Sequence, residues 1–189
     1  MSATLDLLQE EHRRMVKLLS ILDREVRAFG DGAPVDFDLV SSILDYNLHF
    51  PDACHHPKED VVFRRLCERN PEAGAAVGDL AQEHGELHRL TSRFAVAVEN
   101  VLADQTLPRD WFSEIAGEYL RFMRRHMQME EVVFFPAARR ALTAEDWKAV
   151  DAQVFDKNDP VFDDQADERY ESLRQAILLH EGDAGTAGS

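Results

Sequence analysis

Residues 55–63 read HHPKEDVVF and residues 126–134 read HMQMEEVVF. In each, a histidine is followed four positions later by a glutamate, then by an acidic residue and Val-Val-Phe. A second pair of segments is related in the same way, Glu10-Glu11-His12 matching Gln82-Glu83-His84. The offset is 72 residues from His12 to His84 and 71 from His55 to His126. A pattern restated at so nearly constant a period describes two helical hairpins, each supplying half of one site. On an α-helix, residues four apart differ by about 40° in direction and lie one turn above each other. His55 and Glu59 therefore share a face, as do His126 and Glu130, and His84 and His88.

Working outward, the composition suits a helical domain. The chain has 189 residues, enough for one domain with a real core, and hydrophobic and charged fractions of 44% and 30% are ordinary for a globular protein. Leu, Ala, Glu, Arg and Asp dominate, while strand-like alternation is absent. A formal net charge of −15 argues against nucleic acid or an anionic membrane as partner, since both demand basic surface. Residues 142–189 hold twelve Asp/Glu and four Lys/Arg, which is −8 of that total and reads as a solvated acidic region. No signal-like or membrane-spanning apolar run is present, so the expected location is the cytoplasm. Cys54 and Cys67 fall on one predicted helix, about 20 Å apart at 1.5 Å per residue, too far for a disulfide. They are expected as buried, inert thiols.

The periodicity predicts four long helices. The first runs from about Thr4 to Phe29, with Leu5, Leu8, His12, Met15, Leu19 and Leu22 as its inward stripe and Gly30 and Gly32 as its stop. The second covers Asp36 to Arg69, kinked near Pro51 and Pro57 beside His55. The third opens on Asn70-Pro71 and continues to Asp104. The fourth opens at Pro108 and reaches Leu142, bent at Pro136. A fifth, weaker helix begins at Thr143, where Thr-Ala-Glu-Asp resembles a capping box, and a sixth covers Asp167–His180. The expected fold is all-α, an up-down-up-down four-helix bundle over 1–142. A helical extension over 143–181 would pack on or beside it, and 182–189 would be a disordered tail.

Each long helix thus puts at least one histidine where the core should be: His12, His55, His84 with His88, and His126. With Glu59 and Glu130 that makes five imidazoles and two carboxylates. Burying such a set without a metal would leave expensive charges uncompensated. Imidazole with carboxylate and no thiolate suits iron, manganese or zinc. Seven donors exceed the four of a closed structural zinc and fit two metals with bridging carboxylates. The Glu-xx-His signature of ferritin-like di-iron bundles is absent.

In the order Glu11-His12, HHPKED at 55–60, EHGELH at 83–88 and HMQMEE at 126–131, the chain resembles the hemerythrin-type, or HHE cation-binding, domain over roughly residues 5–142. The resemblance implies His12, His55, Glu59, His84, His88, His126 and Glu130 as ligands of two non-haem irons, with Glu59 and Glu130 bridging. Manganese and zinc are the alternative metals. Hemerythrins of the five-residue form place the last carboxylate one position later, which would select Glu131; the internal repeat selects Glu130. His56 is only three residues from Glu59 and is given a hydrogen-bonding role behind the ligands. His49 is expected at the surface and His180 apart from the site. Tyr119, Phe122 and Thr91 share faces with the site histidines as packing, with Tyr119 also placed to donate into the pocket. The expected function is non-catalytic binding of dioxygen or a related diatomic. The alternatives are an enzyme reducing peroxide or nitric oxide, or an iron-handling or stress-response module. Nucleic acid and membranes are not expected partners, and pairing as a homodimer is left open.

Overall fold

The structure, a computed structural model, describes residues 2–154, 159–162 and 170–186, with backbone alone over 179–186. It is all-helical, and no strand occurs among the described residues. The bundle is built from α1 (Ala3–Asp31), α2 (Phe37–Phe50), α3 (His56–Arg69), α4 (Pro71–Val77), α5 (Leu80–Leu102), α6 (Arg109–Met129) and α7 (Phe135–Ala141). The two long kinked rods, α2–α3 and α6–α7, alternate with α1 and α5 around the interior, as the repeat predicts. In each turn between helices a named residue satisfies orphaned backbone. Gly32 takes a left-handed φ of 74° after α1, and Ala33 N–H closes on Ala28 carbonyl oxygen at 2.8 Å. Asp36 accepts from Leu39 N–H at 2.9 Å to start α2.

The third predicted helix is in fact two. Gly78 adopts φ 95°, ψ −155°, and ends α4 at Val77, after which Asp79 accepts from Gln82 N–H at 3.0 Å and opens α5. A glycine able to leave the helical region beside a residue with a strong capping oxygen makes an interruption that apolar periodicity does not register.

The kinks in the other two long rods are π turns, over Pro51–His55 and Glu130–Phe134. Each is closed by an i→i+5 bond, His56 N–H to Pro51 carbonyl and Phe135 N–H to Glu130 carbonyl. In both, the residue after the donor is proline, Pro57 and Pro136. A proline ring clashes with the carbonyl four residues back and supplies no N–H, and widening the preceding turn by one residue relieves both problems.

Two apolar cores fill the bundle. One end packs Leu18, Leu22, Ile43, Phe94, Val98, Phe112 and Ile115. The other packs Leu5, Leu8, Val62, Leu66, Leu80, Phe134 and Ala138. Along every wall the two are separated by a polar layer: His12 lies between Leu8 and Met15, His84 between Leu80 and Leu87, and Glu130 between Met127 and Phe134.

Beyond the bundle, α8 (Ala144–Asp151) starts with the expected capping box between Thr143 and Asp146 and packs on α3. Asp146 also accepts from Arg65 Nε at 2.8 Å and Arg69 Nη2 at 2.7 Å. Asp151 accepts from Thr4 N–H and Thr4 hydroxyl at 3.1 and 2.7 Å, so it caps α1 from another helix. The last helix, α9 (Glu171–Thr186), lies against α2 and α1, where Tyr170 hydroxyl donates to Asp45 at 2.6 Å. Helical backbone runs through Thr186, within the stretch expected as tail; residues 187–189 and 167–169 and the His180 side chain lie outside what is described. Cys54 and Cys67 are half-buried rather than buried, and they are not joined in a disulfide.

Candidate metal centre

The polar layer gathers side chains from all four walls. α1 brings His12, the α2–α3 rod brings His55, His56 and Glu59, α5 brings His84, and the α6–α7 rod brings His126 and Glu130; all seven are buried. Two groups have ligand atoms mutually within 4.8 Å: His12, His55, Glu59 and Glu130 in one, His56, His84 and His126 in the other.

The two glutamates span the groups. Glu59 Oε1 lies 3.3 Å from His55 Nε2 and 3.9 Å from His12 Nε2, while its Oε2 lies 3.3 Å from His84 Nε2. Glu130 mirrors it, with Oε2 at 3.3 Å from His12 Nε2 and Oε1 at 3.1 Å from His126 Nε2 and 3.8 Å from His84 Nε2. Each carboxylate therefore presents one oxygen to either side. Both residues are 0% exposed, and none of their four oxygens has a hydrogen-bond partner; nor has His84 Nε2. Orphaned buried charges cost several kcal/mol each unless a counter-ion is supplied. His12 Nε2 also faces His55 Nε2 at 3.1 Å, an approach that two lone pairs make only around a cation or a shared proton.

The outward nitrogens explain why the inward ones are free. His12 Nδ1 donates to Glu131 at 2.9 Å, His55 Nδ1 to Glu11 at 2.8 Å, His56 Nδ1 to Asp52 at 3.0 Å and His126 Nδ1 to Glu83 at 2.8 Å. A carboxylate only accepts, so each Nδ1 must carry the hydrogen, and in the neutral ring Nε2 is left with its lone pair toward the centre. Carboxylate behind histidine is the arrangement that orients and strengthens metal ligands. Glu11 is held in turn by the buried Lys58 ammonium, and Glu131 by Gln9 amide at 2.7 Å. The repeat carries over: Glu11 precedes His12 yet serves His55, and Glu83 precedes His84 yet serves His126.

The electrostatics point the same way. Burial pushes the His55 imidazole down, but the Glu59 charge and the bond to Glu11 outweigh it and hold His55 up at about 10. His84 is likewise lifted to about 9 against burial by Glu130 and Glu59. His56 moves the other way, lowered by burial with only partial relief from Asp52. Glu59, despite the upward push of burial, is held well below its ordinary value by His55 and His84. The layer keeps Glu59 ionised and draws positive charge inward.

Six of the seven residues named from the sequence are together here: His12, His55, Glu59, His84, His126 and Glu130. The seventh, His88, is not brought to them; its side chain is 53% exposed and its Nδ1 sits 3.0 Å from Asp52. His56 stands there instead, its ring stacked on His84 at 3.7 Å between centroids and 8° between planes. His88 is carried about 40° off the inward stripe of His84, Leu87 and Thr91, enough at the bundle's rim to reach solvent. Glu131 lies outside the carboxylate pair, behind His12. His49 is at the surface, its Nδ1 donating to Asp45 carbonyl at 2.7 Å. The supporting Glu11, Glu83 and Asp52 had a visible signal only in part, as the acidic residue repeated before His12 and His84.

A family model described as the hemerythrin HHE cation binding domain matches residues 3–138. Searches of curated proteins and of solved structures found no match.

Proposed function

The chain belongs to the hemerythrin HHE cation-binding domain family, and from that premise we propose that it is a binding protein for a small diatomic, dioxygen foremost, with two non-haem irons as its centre. The observation that carries this is the pair Glu59 and Glu130, four buried oxygens without partners, each glutamate turned to both histidine groups. His12 and His55 would hold one ion, and His56, His84 and His126 the other, with both glutamates shared. Imidazole and carboxylate without thiolate favour iron, with manganese or zinc as substitutes. When bound in the ferrous state, such a pair supplies two electrons to a ligand.

The protein's own residues do the rest. Glu131, Glu11, Asp52 and Glu83 fix the ring orientations. Lys58 neutralises Glu11, so one supporting charge is balanced internally. Phe135, stacked on His12 at 5.4 Å, gives the two-histidine side an apolar wall. That side has fewer donors, which favours it as the place where a ligand is received. Among the described residues no helix is long and apolar enough to cross a membrane.

Anaerobic loading with ferrous iron, desalting and metal analysis test the centre, with two irons per chain expected. Less than one iron or manganese per chain would remove the dinuclear reading. Admitting oxygen should produce an absorption band that disappears on degassing. Irreversible oxidation with turnover of added peroxide would instead mark an enzyme.

A further inference from the structure

His88 stands outside the centre in the posture of a ligand. Its Nδ1 lies 3.0 Å from Asp52 Oδ2. A carboxylate only accepts, so Nδ1 carries the hydrogen, and the neutral ring turns its Nε2 lone pair away from Asp52. Carboxylate behind imidazole is the same arrangement that sets the donors of the centre. Here the donor faces solvent: 53% of the His88 side chain and 48% of the Asp52 side chain are exposed.

Asp52 ties this outer imidazole to the inner ones. Its other oxygen, Oδ1, accepts from His56 Nδ1 at 3.0 Å, and the His56 ring lies face to face with that of His84. One carboxylate, set in the π turn of the α2–α3 rod, thus holds an imidazole outside and an imidazole inside. On α5, His88 is about one helical turn beyond His84. The seal over the centre is thinnest at the same place. His56 and His84 are 8% and 9% exposed, whereas His12, His55, Glu59, His126 and Glu130 are at most 3% exposed.

Charge separates this α2–α5 seam from the wider opening on the opposite side. The cavity between α1 and α6 that reaches His12, with a volume of about 660 Å³, has Arg13, Lys17 and Arg124 in its walls against one acid, Glu131. Glu10 and Asp23 pair with two of those cations, yet neither lines the cavity. A metal cation meets like charge at that mouth. At the seam it meets the His88 lone pair and a carboxylate that keeps lone pairs beyond those lent to the two imidazoles, donors that suit first-row divalent ions. We infer that Asp52 and His88 form a capture site for a divalent cation, from which the ion passes to His56 and His84 and so into the centre. This rests on the metal-centre reading above and adds to it the side from which the metal is loaded.

The test mixes the metal-free full chain with cobaltous ion under anaerobic conditions. Uptake is timed by the visible absorption of bound cobalt, and the end point is fixed by metal analysis after gel filtration. The wild type should take up two ions per chain. His88→Ala should reach the same end point with uptake slowed roughly tenfold, the lower range of electrostatic steering. His88→Arg, which can still donate to Asp52 but adds positive charge, should slow uptake at least as much. His49→Ala should load like the wild type, because exposed His49 donates to the Asp45 carbonyl and not to a carboxylate shared with the centre. Unchanged uptake rates in both His88 variants overturn the capture site. Equal slowing in His49→Ala does so too, since the effect would then be one of general surface charge. An end point below two ions in His88→Ala would place His88 among the permanent ligands and likewise overturn it. A wild type that takes up no cobalt brings down the metal-centre reading, and this inference with it.

Discussion

At the level of single residues, the sharpest contrast is between neighbours that the sequence treats alike. Glu130 and Glu131 are adjacent acids, yet Glu130 is sealed between two histidine groups while Glu131 braces His12 from the rim. Glu130→Ala should abolish binding of at least one iron, whereas Glu131→Ala should retain both and lose about 10–100-fold in affinity, the usual cost of a removed supporting partner. For the same reason His56→Ala should lower iron content and His88→Ala should not, as metal analysis after gel filtration would report. The i, i+4 histidine pair of α5 was legible; that its second member falls on the flank was not, because the 40° drift matters only once the neighbouring rod is placed. His56 carried too little signal by itself, since its partner His84 lies on another helix. The histidines also set a pH dependence. In the metal-free protein His55 and His84 titrate at about 10 and about 9, above their ordinary 6.5. Raised values mean that the folded state holds the protons more tightly. The stability this contributes is fully present below 6.5 and is lost as pH rises through 9 and 10. Urea denaturation of the chelated protein between pH 6 and 10 should show that decline. Iron, which must displace those protons, should bind more tightly as pH rises over the same range. A flat stability profile would mean that the raised values do not hold in solution.

Among the elements, proline and glycine decide where the rods depart from regular helix. Pro51, Pro57 and Pro136 announce kinks in the sequence, but not their kind: each π turn depends on which carbonyl the chain can still satisfy, a question of backbone geometry rather than side-chain pattern. Gly78 was silent for a related reason, since apolar spacing continues across it from Val77 to Leu80. α8, by contrast, was legible down to its capping box. Its attachment was not, because Arg65 and Arg69 on α3 meet Asp146 only after folding. Those two guanidinium groups and the Thr143 bonds hold the Asp146 carboxyl well below its ordinary range. A depressed carboxyl contributes stability present above its unfolded value, near 3.8, and lost as pH falls through the folded one. Docking of α8 should therefore persist at pH 4 and fail only under stronger acid. Asp146→Asn should loosen α8 at neutral pH. In a Trp111→Phe background, Trp147 fluorescence should shift to the red while helical circular dichroism is largely kept; an unshifted spectrum would show that apolar packing alone holds the helix.

Taken whole, the molecule consists of two apolar cores with a charged layer between them, a costly arrangement for a chain without metal. The apolar stripes and the repeat made both cores and the position of the layer readable, because each wall interrupts its stripe with a histidine or glutamate at the same height. What composition could not convey is that Glu59 and Glu130 would have no partner among the protein's own donors. The hold that Glu59 and Glu130 keep on the His55 and His84 protons offsets only part of the cost of burying them; replacing buried ion clusters with apolar residues of similar volume is often neutral or stabilising, by about 1–4 kcal/mol. The double variant Glu59→Met/Glu130→Met should therefore unfold at higher urea than the wild type when both are stripped with chelator at pH 7.5. It should bind no iron. With iron present the order should reverse, because binding to the folded state alone adds about 2.7 kcal/mol at a hundredfold excess over Kd. If the metal-free double variant were instead the less stable, protons or water would already be satisfying the two carboxylates in the wild type. The layer would then be a structural network in its own right rather than a site held ready for metal.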